Sequence, residues 1–261
     1  MKSALPLKGR IAVVTGGNTG IGRAIALALA RGGADVAAGA RRLHEKDAAE
    51  NLERDLGGNC YAGFLDVRGQ ASITAFLAEV HKTIGPPSIL VNCAGIATHH
   101  AIEGHTDADW QAALDVNLTG PFRMTRACLP GMMATGWGRV INIASTAAST
   151  GRPDYAAYCA SKAGLLGLTR VTALEGAAHG VTAVTISPTW VETDMLHSSA
   201  AEKALKTDRN LIDVVSEMAG SNPQQRLVQA EEIADLTAYL CTDSAAALTM
   251  EDIQINAGAH W

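Results

Sequence analysis

The chain has 261 residues, 48% apolar and 18% charged, with a net charge of −5. That length suits one large α/β domain, and the balance excludes a disordered or membrane-embedded chain. A net-negative chain without a basic run offers no surface for nucleic acid or for an anionic membrane.

In chain order, short apolar runs alternate with longer helical stretches. Residues 11–15, 36–40, 61–67, 89–92, 140–144, 181–187 and 253–256 read as buried strands. Residues 21–31, 45–56, 72–84, 107–134, 155–178 and 231–242 read as helices between them. This alternation predicts an α/β fold, a parallel sheet with helices on both faces. No repeat or linker interrupts it, so residues 1–261 read as a single domain. The exception is 193–228, too long and polar for an ordinary connection. It is expected to form a lid over the substrate, with short helices at 202–206 and 211–219.

The five cysteines (Cys60, Cys93, Cys128, Cys159, Cys241) are scattered and show no C-x-x-C spacing, which suits reduced thiols. Residues 1–10 lack an apolar core for a signal peptide, and no later run is long enough to span a bilayer. The expected address is cytoplasmic. His99, His100 and His105 form the densest histidine group, but nothing completes a ligand set at recognisable spacing, so no metal is expected. A place in the substrate pocket suits these histidines better, with Trp190 and Met195 as apolar candidates on the opposite rim.

The strand at 11–15 runs into Thr15-Gly16-Gly17-Asn18-Thr19-Gly20-Ile21-Gly22, and a helix follows. Gly16 permits a tight turn, Gly20 lets the backbone approach a pyrophosphate, and Gly22 allows close helix–strand contact. The strand-turn-helix context makes this a phosphate cradle rather than a chance glycine cluster. At the end of the second strand an NAD-selective site carries an acid, but here the sequence reads Ala40-Arg41-Arg42. A guanidinium at Arg41, with Arg42 behind it, pairs with a 2′-phosphate, so NADP(H) is preferred and NAD(H) remains possible.

Tyr158 and Lys162 are four apart on a helix and share a face. A nearby ammonium favours the phenolate. Lowering a phenol pKa by roughly two units takes on the order of 2.7 kcal/mol. Ser145, thirteen residues upstream of Tyr158, supplies a hydroxyl for a carbonyl or carbinol oxygen. The set points to a ketone/alcohol oxidoreductase.

The series Thr15–Gly22, Asp66, Asn92-Cys93-Ala94-Gly95, Asn117, Ser145, Tyr158-x-x-x-Lys162 and Pro188 through Thr193 resembles the short-chain dehydrogenase/reductase family from end to end. The resemblance implies a Rossmann-like three-layer αβα fold with a seven-stranded, mostly parallel, doubly wound sheet and a nicotinamide cofactor. It implies that Asp66 and Val67 meet the adenine and that Asn92, Ala94 and Gly95 line the cofactor. Pro188, Val191 and Thr193 match the segment at the nicotinamide. By the same resemblance Lys162 binds the nicotinamide ribose, and Asn117 joins Ser145, Tyr158 and Lys162 by holding a relay water. A homo-oligomer, dimer or tetramer, is also implied; small residues on the helix from Tyr155 (Ala156, Ala157, Ala160, Ala163, Gly164, Gly167) would admit a partner helix.

Within that family the chain looks most like 3-oxoacyl and polyketide ketoreductases. A 3-hydroxybutyrate-like, polyol or cyclic alcohol dehydrogenase is the alternative, and a catalytically silent dinucleotide sensor is the reading from another class. The chain departs from the family pattern in four places. Cys93 replaces an asparagine. Thr189 stands where a glycine is usual, so a changed nicotinamide loop is expected. Met250-Glu251 replaces a glycine-rich turn, and Asn256-Ala257-Gly258 replaces Asp-Gly-Gly.

Overall fold

The computed structural model describes residues 5–259. Its strands are β1 (Ile11–Thr15), β2 (Asp35–Ala40), β3 (Cys60–Phe64), β4 (Ile89–Asn92), β5 (Gly138–Ile143), β6 (Val181–Pro188) and β7 (Asp252–Ile255). They form one sheet in the order β3-β2-β1-β4-β5-β6-β7, and every neighbouring pair is parallel. Central strands such as β4 and β6 are buried along their whole length because helices cover both faces. That is why β4 opens as an apolar run, Ile89-Leu90-Val91, rather than an alternating one.

The helices are α1 (Gly20–Arg31), α2 (Lys46–Leu56), α3 (Gln70–Thr83), α4 (Asp107–Leu114), α5 (Gly120–Thr135), α6 (Ala156–Gly176), α7 (Asp194–Thr207), α8 (Leu211–Gly220) and α9 (Ala230–Leu240). One core packs Ile25 and Leu29 of α1 and Ile233 and Leu240 of α9 against Val14, Val91 and Ile186 of the sheet. The core on the opposite face joins Phe76 of α3 and Met124 and Met132 of α5 to Val13, Leu90 and Val140. Alternate residues of one strand therefore serve opposite cores, as the two-residue period of a strand demands. The strand order reverses between β1 and β4, and open sheets of this kind bind ligands beyond that point.

Three elements differ from the sequence expectation. The third strand stops at Phe64, so Asp66 and Val67 lie in the following loop rather than at a strand end. The helix expected at 107–134 is divided by a wider π turn at Asp115–Thr119, which the unbroken helical pattern conceals. The segment 193–228 is more helical than expected. Its first helix begins at Asp194 rather than at residue 202, because the Thr193 hydroxyl caps it by accepting from the Leu196 N–H. Leu196, Ala200, Val214, Met218 and Leu227 give that segment a small core of its own.

Candidate active site

Beyond the carboxyl ends of the central strands lies a cleft with a cavity volume of about 270 Å³. Its lining includes Gly16, Gly20, Ile21 and Gly22 from the β1–α1 turn, and Ala94 and Gly95 after β4. Ser145 after β5, Tyr158 and Lys162 on α6, and Pro188, Val191 and Thr193 from the end of β6 complete the expected set there.

Space explains the glycines. Gly16 and Gly20 have φ of +68° and +50°, in the left-handed region. A Cβ on Gly22 would stand 2.2 Å from the Gly16 carbonyl oxygen, so only hydrogen fits. The turn opens onto the N-terminus of α1, whose first turn carries no acid, and the free N–H groups there favour an anion. A bare glycine cradle against a helix N-terminus fits the pyrophosphate of a dinucleotide. Thr15 holds the neighbouring strand in place: its Oγ1 accepts from the Cys93 and Ala94 N–H groups, both at 3.0 Å.

Ser145 begins a short 3₁₀ turn, and its Oγ accepts from the Ala147 N–H at 3.2 Å. Lys162 is buried; its Nζ donates to the Ile143 carbonyl at 2.7 Å and lies 5.7 Å from the centre of the Tyr158 ring. Burial pulls the Lys162 ammonium down to about 8. Burial also pushes the Tyr158 phenol up to about 12, with the Ser145 hydroxyl opposing the rise. In the chain alone desolvation is the largest influence on the phenol; the expected lowering involves Lys162 together with a charged cofactor ring.

Other predicted residues lie outside the cleft lining. Asn117 is fully buried in the π turn. Its Nδ2 donates to the Ile96 carbonyl (2.9 Å) and to Ser161 Oγ (3.1 Å), and its Oδ1 accepts from the Ile96 N–H (2.9 Å). It ties the loop after β4 to α6, one residue from Lys162. Asn92, expected beside the cofactor, turns instead into a buried polar network. It donates to Asn142 Oδ1 at 2.8 Å, and Asn142 donates onward to Thr169 at 2.7 Å. Val67 packs into the core, where a Cβ on Gly120 would meet it at 2.7 Å. Asn18 is half-buried in the glycine turn.

Arg41 and Arg42 are exposed on a 3₁₀ turn at the end of β2, and among the described residues neither pairs with a carboxylate. Asp66 lies within the electrostatic reach of Arg41, but its carboxylate is held by Arg68, at 3.0 and 3.1 Å from Nε and 2.6 Å from Nη2. Those hydrogen bonds keep the Asp66 carboxyl below its ordinary range.

Residues 16–260 match the family model described as enoyl-(acyl carrier protein) reductase. The 3-oxoacyl-[acyl-carrier-protein] reductases of Pseudomonas aeruginosa and Escherichia coli are each 35% identical. The alignments cover 98% and 97% of this chain and 99% and 98% of those proteins. The chain belongs to the short-chain dehydrogenase/reductase family. A variant of actinorhodin polyketide ketoreductase, solved with NADPH, superposes with a TM-score of 0.90 at 33% identity, covering 96% of this chain and 98% of that one. A putative gluconate dehydrogenase from Agrobacterium tumefaciens gives 0.87 at 27%, covering 98% and 97%. This member is therefore a ketoreductase-type oxidoreductase acting between a ketone and a CH–OH group, with a nicotinamide dinucleotide as cofactor.

The departures from the family pattern are accommodated unevenly. Thr189 does not take a positive φ; its N–H donates to the Ile255 carbonyl at 3.1 Å and its hydroxyl to Asn222 Oδ1 at 3.1 Å, so no strain replaces the missing glycine. Met250 and Ala257, by contrast, stand at φ +68° and +48°, where a side chain costs about 1–2 kcal/mol. Trp190, Met195 and His99 do line the cleft, whereas His100 and His105 do not. Arg152 and Tyr155 line it too, and sequence reasoning passed over both. Their position in the loop between Ser145 and Tyr158 was the available signal.

Proposed function

We propose that this enzyme reduces a 3-oxoacyl-type ketone to the secondary alcohol, with NADPH preferred over NADH. The observation that carries the reading is the convergence of Ser145, Tyr158 and Lys162 on a cleft that opens onto the glycine cradle of α1. The names of the 3-oxoacyl reductases and of the polyketide ketoreductase support the substrate class.

When bound, the nicotinamide supplies a hydride to the carbonyl carbon. Ser145 donates a hydrogen bond to the carbonyl oxygen, and Tyr158 gives that oxygen its proton as the C=O π pair becomes an O–H bond. A phenol at about 12 stays protonated at neutral pH. It is still far more acidic than the alcohol that forms when it quenches the alkoxide, so the proton transfer runs downhill. Lys162 steadies the phenolate left behind and holds the cofactor ribose. Asn117 fixes α6 against the loop after β4, and the second lone pair of its Oδ1 is left for a relay water.

Arg41, with Arg42 beside it, takes the 2′-phosphate. Ala40 in place of an acid removes the charge that would repel that group. Asp66 and Val67 serve the adenine, with Arg68 setting the Asp66 carboxylate. The whole chain acts as one catalytic unit with α7 and α8 as its lid. Ala160, Ala163 and Gly167, all exposed on α6, suit a partner helix in a homo-oligomer. By contrast Gly164 receives Leu118 of the same chain: a Cβ there would meet that side chain at 2.8 Å.

Tyr158→Phe tests the assignment. Turnover is expected to fall by roughly 10²–10⁴-fold while NADPH still binds, as followed by its fluorescence. Near-normal turnover in that variant would remove Tyr158 from the chemistry.

A further inference from the structure

The cleft lining includes one arginine, Arg152, and one lysine, Lys162. Lys162 is committed inward to the Ile143 carbonyl, whereas Arg152 is not committed to any acceptor. Its guanidinium carbon lies 4.2 Å from the centre of the Trp190 ring and 5.4 Å from that of Tyr155. Tyr155 in turn meets Tyr158 edge-on, with 6.1 Å between ring centres. The cation thus stands one aromatic ring away from the candidate proton donor.

Among the described residues no carboxylate lies within ion-pair distance of Arg152, and its side-chain N–H groups make no hydrogen bond. The acids around it are otherwise placed. Glu202 is taken by His99 at 3.1 Å and Lys206 at 2.7 Å. Asp154 is its exposed chain neighbour but one, and Asp194 lines the cleft without reaching it. Of the charges that act on Tyr155, Arg152 is the largest single one, with Glu202 and Asp154 among those that oppose it.

A free surface arginine is ordinary, but this one is held between two aromatic side chains at the edge of a reaction cleft. Stacking covers the planar face of a guanidinium and leaves its edge N–H groups available, the geometry that grips an oxyanion at two points. A neutral acyl chain offers those donors at most a carbonyl oxygen and no charge. Apolar neighbours such as Ala147, Met195 and Leu196 strengthen any charge pair formed there.

We infer that Arg152 binds an oxyanion carried by the substrate, so that the preferred ketone bears a carboxylate or phosphate group. This rests on the ketoreductase reading and narrows its substrate class. Four ketones with one acyl chain decide it: the free 3-oxo acid, its ethyl ester, its pantetheine thioester and its phosphopantetheine thioester. The acid should exceed the ester, or the phosphopantetheine thioester its unphosphorylated partner, by about tenfold to a hundredfold in kcat/KM, the scale of one charge-assisted contact. The pair that shows the gap identifies carboxylate or phosphate as the source.

Arg152→Met should erase that gap through KM and leave the ester unchanged, and Arg152→Lys should restore part of it. Equal rates within both pairs, or an equal loss for charged and neutral ketones in Arg152→Met, would overturn the inference and leave Arg152 as mere packing for Trp190. If no ketone turns over, the ketoreductase reading fails on its own. Calorimetric binding of the 3-oxo acid and the phosphopantetheine thioester to the enzyme with NADPH then still decides Arg152. Weaker binding of either in Arg152→Met supports the inference, and unchanged binding of both contradicts it.

Discussion

In the proposed reaction Tyr158 enters as a phenol, and Lys162 beside it as an ammonium that burial has made easier to lose. Both groups are protonated below about pH 8, Tyr158 at about 12 and Lys162 at about 8. As pH rises through about 8, Lys162 loses its proton first. We therefore expect kcat/KM for NADPH in the reducing direction to be level below pH 8 and to fall above it, since this ratio reports groups of the free enzyme. A profile flat to pH 10 would show that the Lys162 charge is not needed. At this scale the sequence displayed which residues meet, because helical spacing and loop position bring Ser145, Tyr158 and Lys162 together. It did not display their electrostatics, since desolvation depends on everything packed around the site. Asn92 shows the same limit: its neighbours Ala94 and Gly95 face the cleft while its own amide faces Asn142 across the sheet.

The β1–α1 turn carries the strongest steric constraint at the scale of elements. Gly22→Ala would place a methyl group against the Gly16 carbonyl oxygen, and backbone is the neighbour least able to move. The substitution should cost about 1–3 kcal/mol. That lowers the melting temperature by roughly 3–10 °C. It should also weaken NADPH binding by about tenfold or more, since the turn that must open is the proposed phosphate cradle. Unchanged melting and unchanged cofactor affinity would contradict the close contact described here. The seven strands and most helices were legible from apolar runs and helical periodicity. The π turn at Asp115–Thr119 was not, because those five residues include no Gly or Pro to mark a break. The early start of α7 is not legible because its run from Asp194 is mostly polar or small, and the family resemblance gives its cap, Thr193, a different role.

Across the whole molecule, parallel strands ordered β3-β2-β1-β4-β5-β6-β7 bring residues from the segments after β1, β4, β5 and β6 to one edge of the sheet. Helix α7 is tethered to the loop after β4 through His99: its ring meets Glu202, and Lys206 donates to its carbonyl at 3.4 Å. Among the described residues no helix is long and apolar enough to cross a membrane. Topology and family were legible because the motifs fall in order along nearly the entire chain. The ketone itself was not, because its contacts come from loops such as 146–155 and 189–199 whose meeting no local pattern encodes. The most direct test of the account is the rate at which the purified protein consumes NADPH, followed by nicotinamide absorbance, with a 3-oxoester and a 3-oxo acid. The same assay with NADH measures the contribution of Arg41. The account predicts consumption of NADPH that depends on added ketone and exceeds that of NADH by about tenfold or more, the worth of one phosphate–guanidinium contact. Tight NADPH binding with no ketone-dependent consumption would contradict it.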